Sequence, residues 1–335
     1  MTKYDPEQLN LKSLRNYKIS DIKNAMDKGF ILEAPVTKCS TDLELEVNIG
    51  NGIVGKLPFS ELEYQVTDKP IKSIHAISKV GKTVKFKVIS MEKQADDTYI
   101  CNISRKAAQE ECYNKYIKGL KIGQIIDAVV VHTEKYGVFC DIGCGIVALL
   151  PTKNVCIAKF KDPVTELKGI RRLKVIVQSI DNNKITLSHK ELLGTWEEEA
   201  SKFKVNDTVT GVVRLITDYG VFVELTPNLI GLAEVYPDVQ ENDVVSVFIR
   251  GFVRDTMKVK LLITNVNGKR TGKIYYKYRI PTCGYVKDWV YSPDTANKKI
   301  ESHFDVSDEV AKLIESEANI DTNTEDCNNT SEIND

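Results

Sequence analysis

Two short stretches of this chain set the same aromatic residues around a glycine. HTEKYGVFCDI contains Tyr136, Gly137 and Phe139, and LITDYGVFVEL, eighty-three residues later, contains Tyr219, Gly220 and Phe222. The chemistry such rings offer is stacking. Every nucleobase has a π-face, and a ring beneath it is worth about 1–3 kcal/mol per base with little regard to sequence. Residues three apart in a strand point to opposite faces. A glycine between them suggests a bulge that turns both rings to one side. Such rings either fill a core or stack a partner; the repeated motif with its glycine favours stacking.

No constellation for bond-making chemistry accompanies them. The four histidines, His75, His132, His189 and His303, sit in no recognisable motif, and neither a P-loop nor a dinucleotide glycine fingerprint is present. Cys140 and Cys144 lie four apart, with Cys156 and His132 nearby in sequence. They lack the CxxC spacing usual at a zinc site, so core thiols are expected. We therefore expect no catalytic residue, no metal and no cofactor.

The elements that must position the rings recur with them. KIGQIIDAVVV (residues 121–131) aligns with KVNDTVTGVVR (204–214) at the same offset. Each unit runs from a turn into a Val-rich strand, the Tyr-Gly-Val-Phe stretch, a short apolar strand (GIVALLP, LIGLAEV) and two closing strands. Five short antiparallel strands in one small unit suit an OB-type barrel. Residues 29–108 read as a divergent third copy, with GFILEAPV, DLELEV, GIVGKLPFSE, KTVKFKVIS and YICNIS as its strands. The expected fold is all-β with linking helices: three tandem five-stranded OB barrels at 29–108, 119–191 and 203–266. A helical segment precedes them at 1–28. A small β extension at 267–304 and an acidic disordered tail at 305–335 follow. Helices are expected at SDIKNAMDKG, capped by Ser20 and stopped by Gly29, at SRKAAQEECYNKYIKGL and at SHKELLGTWEEEASKF.

Charge is split. Residues 301–335 hold eleven acidic residues and one lysine, while the other 300 hold 45 basic and 36 acidic residues. A mildly basic body favours polyanions. The tail is expected to compete with such a polyanion for it, so that deleting 305–335 raises affinity at low salt. Eight scattered cysteines form no disulfide framework and point to reduced thiols in a cytoplasm. No apolar run is long enough to cross a membrane and the N-terminus lacks a signal-peptide core, so a cytoplasmic monomer is expected.

The tandem pattern of a Val-rich strand, Tyr-Gly-Val-Phe, Gly-Leu and a closing LSxK-like strand resembles the S1 RNA-binding domain. It is clearest at GVVRLITDYGVFVEL with GLAEV, at AVVVHTEKYGVFCDI with ITLSHK, and at GKLPFSE with ISRKAA. The resemblance implies a non-catalytic protein that binds single-stranded RNA, mRNA above all, and docks on the small ribosomal subunit. It makes Tyr136, Phe139, Tyr219 and Phe222 the base-stacking rings. Lys184 and Lys258, each before a last strand, match the basic position beside them, and a lysine suits phosphate as a point charge. Lys135 and Arg214 are weaker candidates of the same kind.

Departures from the pattern bear on function. Glu234 stands where the family often has histidine, Pro151 stands at the same place in the second unit, and Ala148 replaces a glycine. Glu234 repels phosphate unless it pairs with a cation. The first unit lacks the ring pair and instead holds Asp42, Glu44 and Glu46, which suits protein docking better than RNA. KRTGKIYYKYR (269–279) mixes cations with tyrosines and reads either as a hairpin capping the third barrel or as a further nucleic-acid surface. A regulatory adaptor whose barrels contact protein, or an RNA-processing accessory factor, stays open as an alternative.

Overall fold

The computed structural model describes residues 4–8, 16–65, 70–96, 98–159, 164, 170–270, 276–279 and 283–312. Strands β1 (Leu32–Cys39), β2 (Leu45–Gly50), β3 (Ile53–Leu57), β4 (Thr83–Lys93) and β5 (Tyr99–Ser104) close into a first barrel in the order β1-β2-β3-β5-β4. The same cyclic order returns in a second barrel from β6 (Ile125–Glu134), β7 (Gly137–Gly143), β8 (Ile146–Pro151), β9 (Arg172–Asp181) and β10 (Lys184–Ser188). It returns again in a third, from β11 (Thr208–Thr217), β12 (Gly220–Thr226), β13 (Leu229–Ala233), β14 (Asp243–Val253) and β15 (Lys258–Lys269). In each barrel the third and last strands run parallel, while the other pairs whose register is defined are antiparallel. These are OB-like barrels.

Period-2 patterning builds them. Along β14, Asp243, Val245, Val247 and Ile249 are buried while Val244, Ser246 and Phe248 are only partly covered. In β13, Leu229, Gly231 and Ala233 are buried between half-covered Ile230 and Leu232. Inward-facing residues of this kind fill a small barrel completely.

By packing, the chain divides into two compact units. One comprises 1–120, 127–129 and 141–147, and the other 121–126, 130–140 and 148–335. In the first, Leu45, Leu57, Phe86 and Ile103 form a core with Ile22 of helix α1 (Ile19–Lys28). A buried charge cluster sits in the same unit. Arg105 grips Glu7 through Nε at 2.7 Å and Nη2 at 3.0 Å, and donates to Leu62 O at 3.0 Å. Lys79 brings a second cation to Glu7 at 3.3 Å. Burial alone raises a carboxyl, but Arg105 and Lys79 outweigh it and hold Glu7 down to about 2. In the second unit, Val213, Val223, Val247 and Leu261 share a core with Trp196, Trp289, Tyr291 and Phe304. The last three flank or lie in β16 (Asp288–Val290) and β17 (Glu301–His303), the two-stranded piece within the expected extension.

Three local expectations need correction. Ser20 lies inside α1 and not at its cap; the side chain of Asp21 accepts from Lys18 N at 2.9 Å at that end, and Gly29 at φ +64° ends the helix as expected. The helix expected from Ser188 is interrupted. Lys190–Leu193 form a 3₁₀ turn, Gly194 takes φ +93°, and Thr195 caps a separate short helix, Trp196–Ala200, with Glu198 reciprocating. A side chain at Gly194 meets Arg279 Cγ at 2.9 Å as well as the strained φ, so glycine is required there. Finally, among the described residues six cysteines carry thiols, five of them buried, but Cys283 is disulfide-bonded, contrary to the expectation of reduced thiols throughout. Ser104 does cap the helix Arg105–Lys115, accepting from Ala107 N at 2.9 Å. Residues 271–275 of the basic-aromatic stretch and 313–335 of the acidic tail lie outside the described residues. Among the described residues no helix is long and apolar enough to cross a membrane.

Candidate nucleic-acid interface

The ring pairs meet as anticipated, by a different route. Lys135–Tyr136 and Asp218–Tyr219 are two-residue turns, and each glycine is the first residue of the following strand. Thr217 faces Gly220 across the turn, Ile216 faces Val221, and Leu215 faces Phe222. Tyrosine therefore sits at the hairpin tip and phenylalanine on the outer face three residues on. No bulge falls at the glycine. Its bareness serves a neighbour: a Cβ on Gly220 comes within 2.4 Å of Ala233 O, and one on Gly137 within 2.8 Å of Leu150 O. Glycine lets the third strand of the barrel approach, which fixes the turn that presents the tyrosine.

The two platforms have matching geometry. The centroids of Tyr136 and Phe139 are 6.0 Å apart with planes at 90°, and those of Tyr219 and Phe222 are 6.0 Å apart at 87°. Tyr136 is 62% exposed and Tyr219 68%, while both phenylalanines are half-buried. The rings do not fill the cores. A T-shaped pair with one member standing free leaves a ring face open for stacking.

Cations share this face in the third barrel. Phe222 stands opposite Leu232 on β13, and Leu232 opposite Lys260 on β15. Residues opposite one another across a sheet share a face. Their strand neighbours Val221, Val223, Val259 and Leu261 are buried, so Phe222 and Lys260 point outward. Two strand spacings put them roughly 10 Å apart along the sheet. Lys258, two residues earlier, shares the face of Lys260, and both are exposed. Sequence reading misses Lys260, which is one more lysine in MKVKLL; strand pairing alone reveals it. In the second barrel Thr186 occupies the place facing Leu149. Lys184 opens β10 two residues before it, exposed. Lys135 is exposed in the turn beside Tyr136.

Two charged positions differ from the sequence reading. The bulge lies at Arg214, because pairing steps from Val213–Val223 to Leu215–Phe222. Arg214 is only 3% exposed and its Nε donates to Glu224 Oε2 at 2.6 Å, so this guanidinium is committed within the fold, contrary to its expected place on the phosphate-binding face. Glu234 is paired: Arg250 Nη1 donates to it at 2.8 Å. Its repulsion of phosphate is thereby offset. In the first barrel Lys56 lies 3.7 Å from Glu44 and Lys38 lies 3.8 Å from Glu46, so two of the three acids Asp42, Glu44 and Glu46 have a cation beside them.

Tyr276 and Tyr278 are not on a strand. Their rings lie 4.6 Å and 5.8 Å from that of His189, edge-on to it. His189 is wholly buried and its Nδ1 donates to Val155 O at 2.6 Å; burial depresses its pKa to about 4, keeping it neutral. Both tyrosines are therefore packing residues beside His189, and Tyr278 Oη also accepts from Lys174 N at 2.8 Å. No cluster of three or more His, Cys, Asp or Glu side chains able to hold a metal occurs among the described residues.

A family model described as the S1 RNA binding domain matches residues 26–98. That match falls on the first barrel, the copy without the ring pair. The small ribosomal subunit protein bS1 of Rhodopseudomonas palustris is 32% identical over 193 residues, 55% of this chain and 32% of that protein. The bS1 protein of Rickettsia conorii is 31% identical over 54% of this chain and 32% of its own length, and the bS1 homolog of Bacillus subtilis is 28% identical over 57% and 50%. The chain thus spans between a third and a half of these relatives. A crystal structure of a multidomain protein with nucleic acid binding domains from Streptococcus pneumoniae covers 70% of this chain at 14% identity, with a TM-score of 0.24, too low to bear on the fold.

Proposed function

We propose, for a chain that bears an S1 RNA binding domain and is related to bS1 proteins over about half its length, that it is a non-catalytic binder of single-stranded RNA. It holds mRNA at the small ribosomal subunit, in the cytoplasm and as a monomer. The observation that carries this reading is the duplicated platform: two exposed tyrosines, each set at right angles to a phenylalanine 6.0 Å away, in two barrels of the same topology. The second and third barrels grip RNA through Tyr136, Phe139, Tyr219 and Phe222. Lys135, Lys184, Lys258 and Lys260 contact phosphate. The first barrel, with no ring pair and with Glu44 and Glu46 each beside a lysine, docks on the subunit. The division at 29–108, 119–191 and 203–266 follows from the same reading.

The test is a mobility-shift assay with a short single-stranded RNA, the matching duplex, and isolated small subunits. The proposal expects the single strand to bind, the duplex to bind far more weakly, and log affinity to fall linearly with log salt. Equal affinity for the duplex, or an affinity for RNA indifferent to salt, contradicts it. Failure to co-sediment with subunits refutes the ribosomal part alone.

A further inference from the structure

The two platforms differ beside the phenylalanine. In the third barrel the residue opposite Phe222 is Leu215. Eighty-three residues earlier the second barrel has His132, which stands against Phe139 with ring centroids 6.4 Å apart and planes within 20° of parallel. His132 is exposed, and its Nε2 donates to Glu134 Oε1 at 2.7 Å, so the ring is held by a neighbour on its own strand. Glu134 precedes the Lys135–Tyr136 turn, so three rings, His132, Phe139 and Tyr136, lie together on one outer face at the hairpin.

We infer that His132 is a third stacking residue of the second barrel, which therefore takes one more base of single-stranded RNA than the third barrel does. Three features point to this. The ring is exposed, so core packing does not account for it. Its near-parallel setting against Phe139 matches how flat groups share a stack. Its carboxylate partner restrains the ring in advance, which lowers the ordering cost of binding. The barrels thereby divide the work: the second has a third ring and a neutral Thr186, and the third has an aliphatic Leu215 and Lys260. The second barrel leans on stacking and the third on phosphate charge.

This inference rests on the RNA-binding reading above, and its test separates the two. The full chain with Tyr219→Ala and Phe222→Ala isolates binding by the second barrel, measured with a short labelled single-stranded RNA. On that background His132→Leu, which installs the third barrel's residue, is expected to weaken binding about fivefold or more. His132→Phe, which keeps a flat ring and loses the link to Glu134, is expected to stay within about threefold of the parent. If His132→Leu binds as the parent does while Phe139→Ala still weakens binding, the third ring is refuted and the platform stands. If Phe139→Ala and His132→Leu both leave binding unchanged, the ring platform itself is refuted. Loss in His132→Phe equal to that in His132→Leu assigns the effect to imidazole hydrogen bonding and overturns stacking.

Discussion

Lys258 and Lys260 lie on the face that Phe222 shares, and replacing both by alanine gives a worked prediction. Each lysine that neutralises a phosphate on a single strand contributes about −0.7 to the slope of log affinity against log salt. Removing two makes the slope shallower by about 1.4. Over a tenfold rise in salt, wild-type affinity therefore falls about 25-fold more than that of the variant. Both side chains are exposed at the outer face, so the fold should tolerate the change within about 0.5 kcal/mol. The assay is fluorescence anisotropy with one labelled RNA at several salt concentrations, with circular dichroism to verify folding. Ring stacking is largely independent of salt, so the variant should keep a residual, flatter affinity. An unchanged slope with unchanged folding refutes the placement of RNA across β15.

Other consequences concern what holds the platform in place. Gly220→Ala forces a Cβ to 2.4 Å from a backbone oxygen and is expected to cost about 1–3 kcal/mol in urea unfolding. Gly137→Ala, where the closest approach is 2.8 Å, is expected to cost less, and the reverse order contradicts the reading. Glu7→Gln leaves Arg105 buried without its carboxylate and is expected to lose about 3–5 kcal/mol in the first unit, followed by thermal unfolding. His189 is neutral in the fold and protonates more readily once unfolded, at 6.5 against about 4. Its contribution is complete above about pH 6.5 and is lost as pH falls toward 4, on the order of 3 kcal/mol in all. His189→Phe should flatten the dependence of Tm on pH across that window, and an unaltered pH profile excludes His189 as its source.

Much of the barrel architecture is legible because its residues alternate. Val245, Val247 and Ile249 declare β14 by their spacing alone, and Val221 and Val223 do the same for β12. The ring pairs are legible for their repetition, but the reason for their glycine is not. Ala233 O approaches Gly220 from the neighbouring strand β13, thirteen positions along the chain, and sequence spacing carries no trace of that closeness. Arg214 is misread because the bulge places it beside Glu224, a pairing that simple alternation does not predict. Lys260 is overlooked for the opposite reason, since its link to Phe222 passes through Leu232 on a third strand. Gly194 interrupts a stretch whose composition is otherwise helical: its positive φ and the Thr195–Glu198 capping box start a new helix there, and the packing of Arg279 against it leaves no room for a side chain.

The most direct measurement is the affinity of one short single-stranded RNA for wild type, for Tyr136→Ala/Phe139→Ala, for Tyr219→Ala/Phe222→Ala, and for all four changes together, each first shown to be folded. Because Tyr136 and Tyr219 stand largely in solvent, folding should survive. Each pair is predicted to weaken binding by about 1–3 kcal/mol for each base it stacks, and the fourfold variant to lose more than either pair. A folded fourfold variant that binds RNA as wild type does contradicts the account.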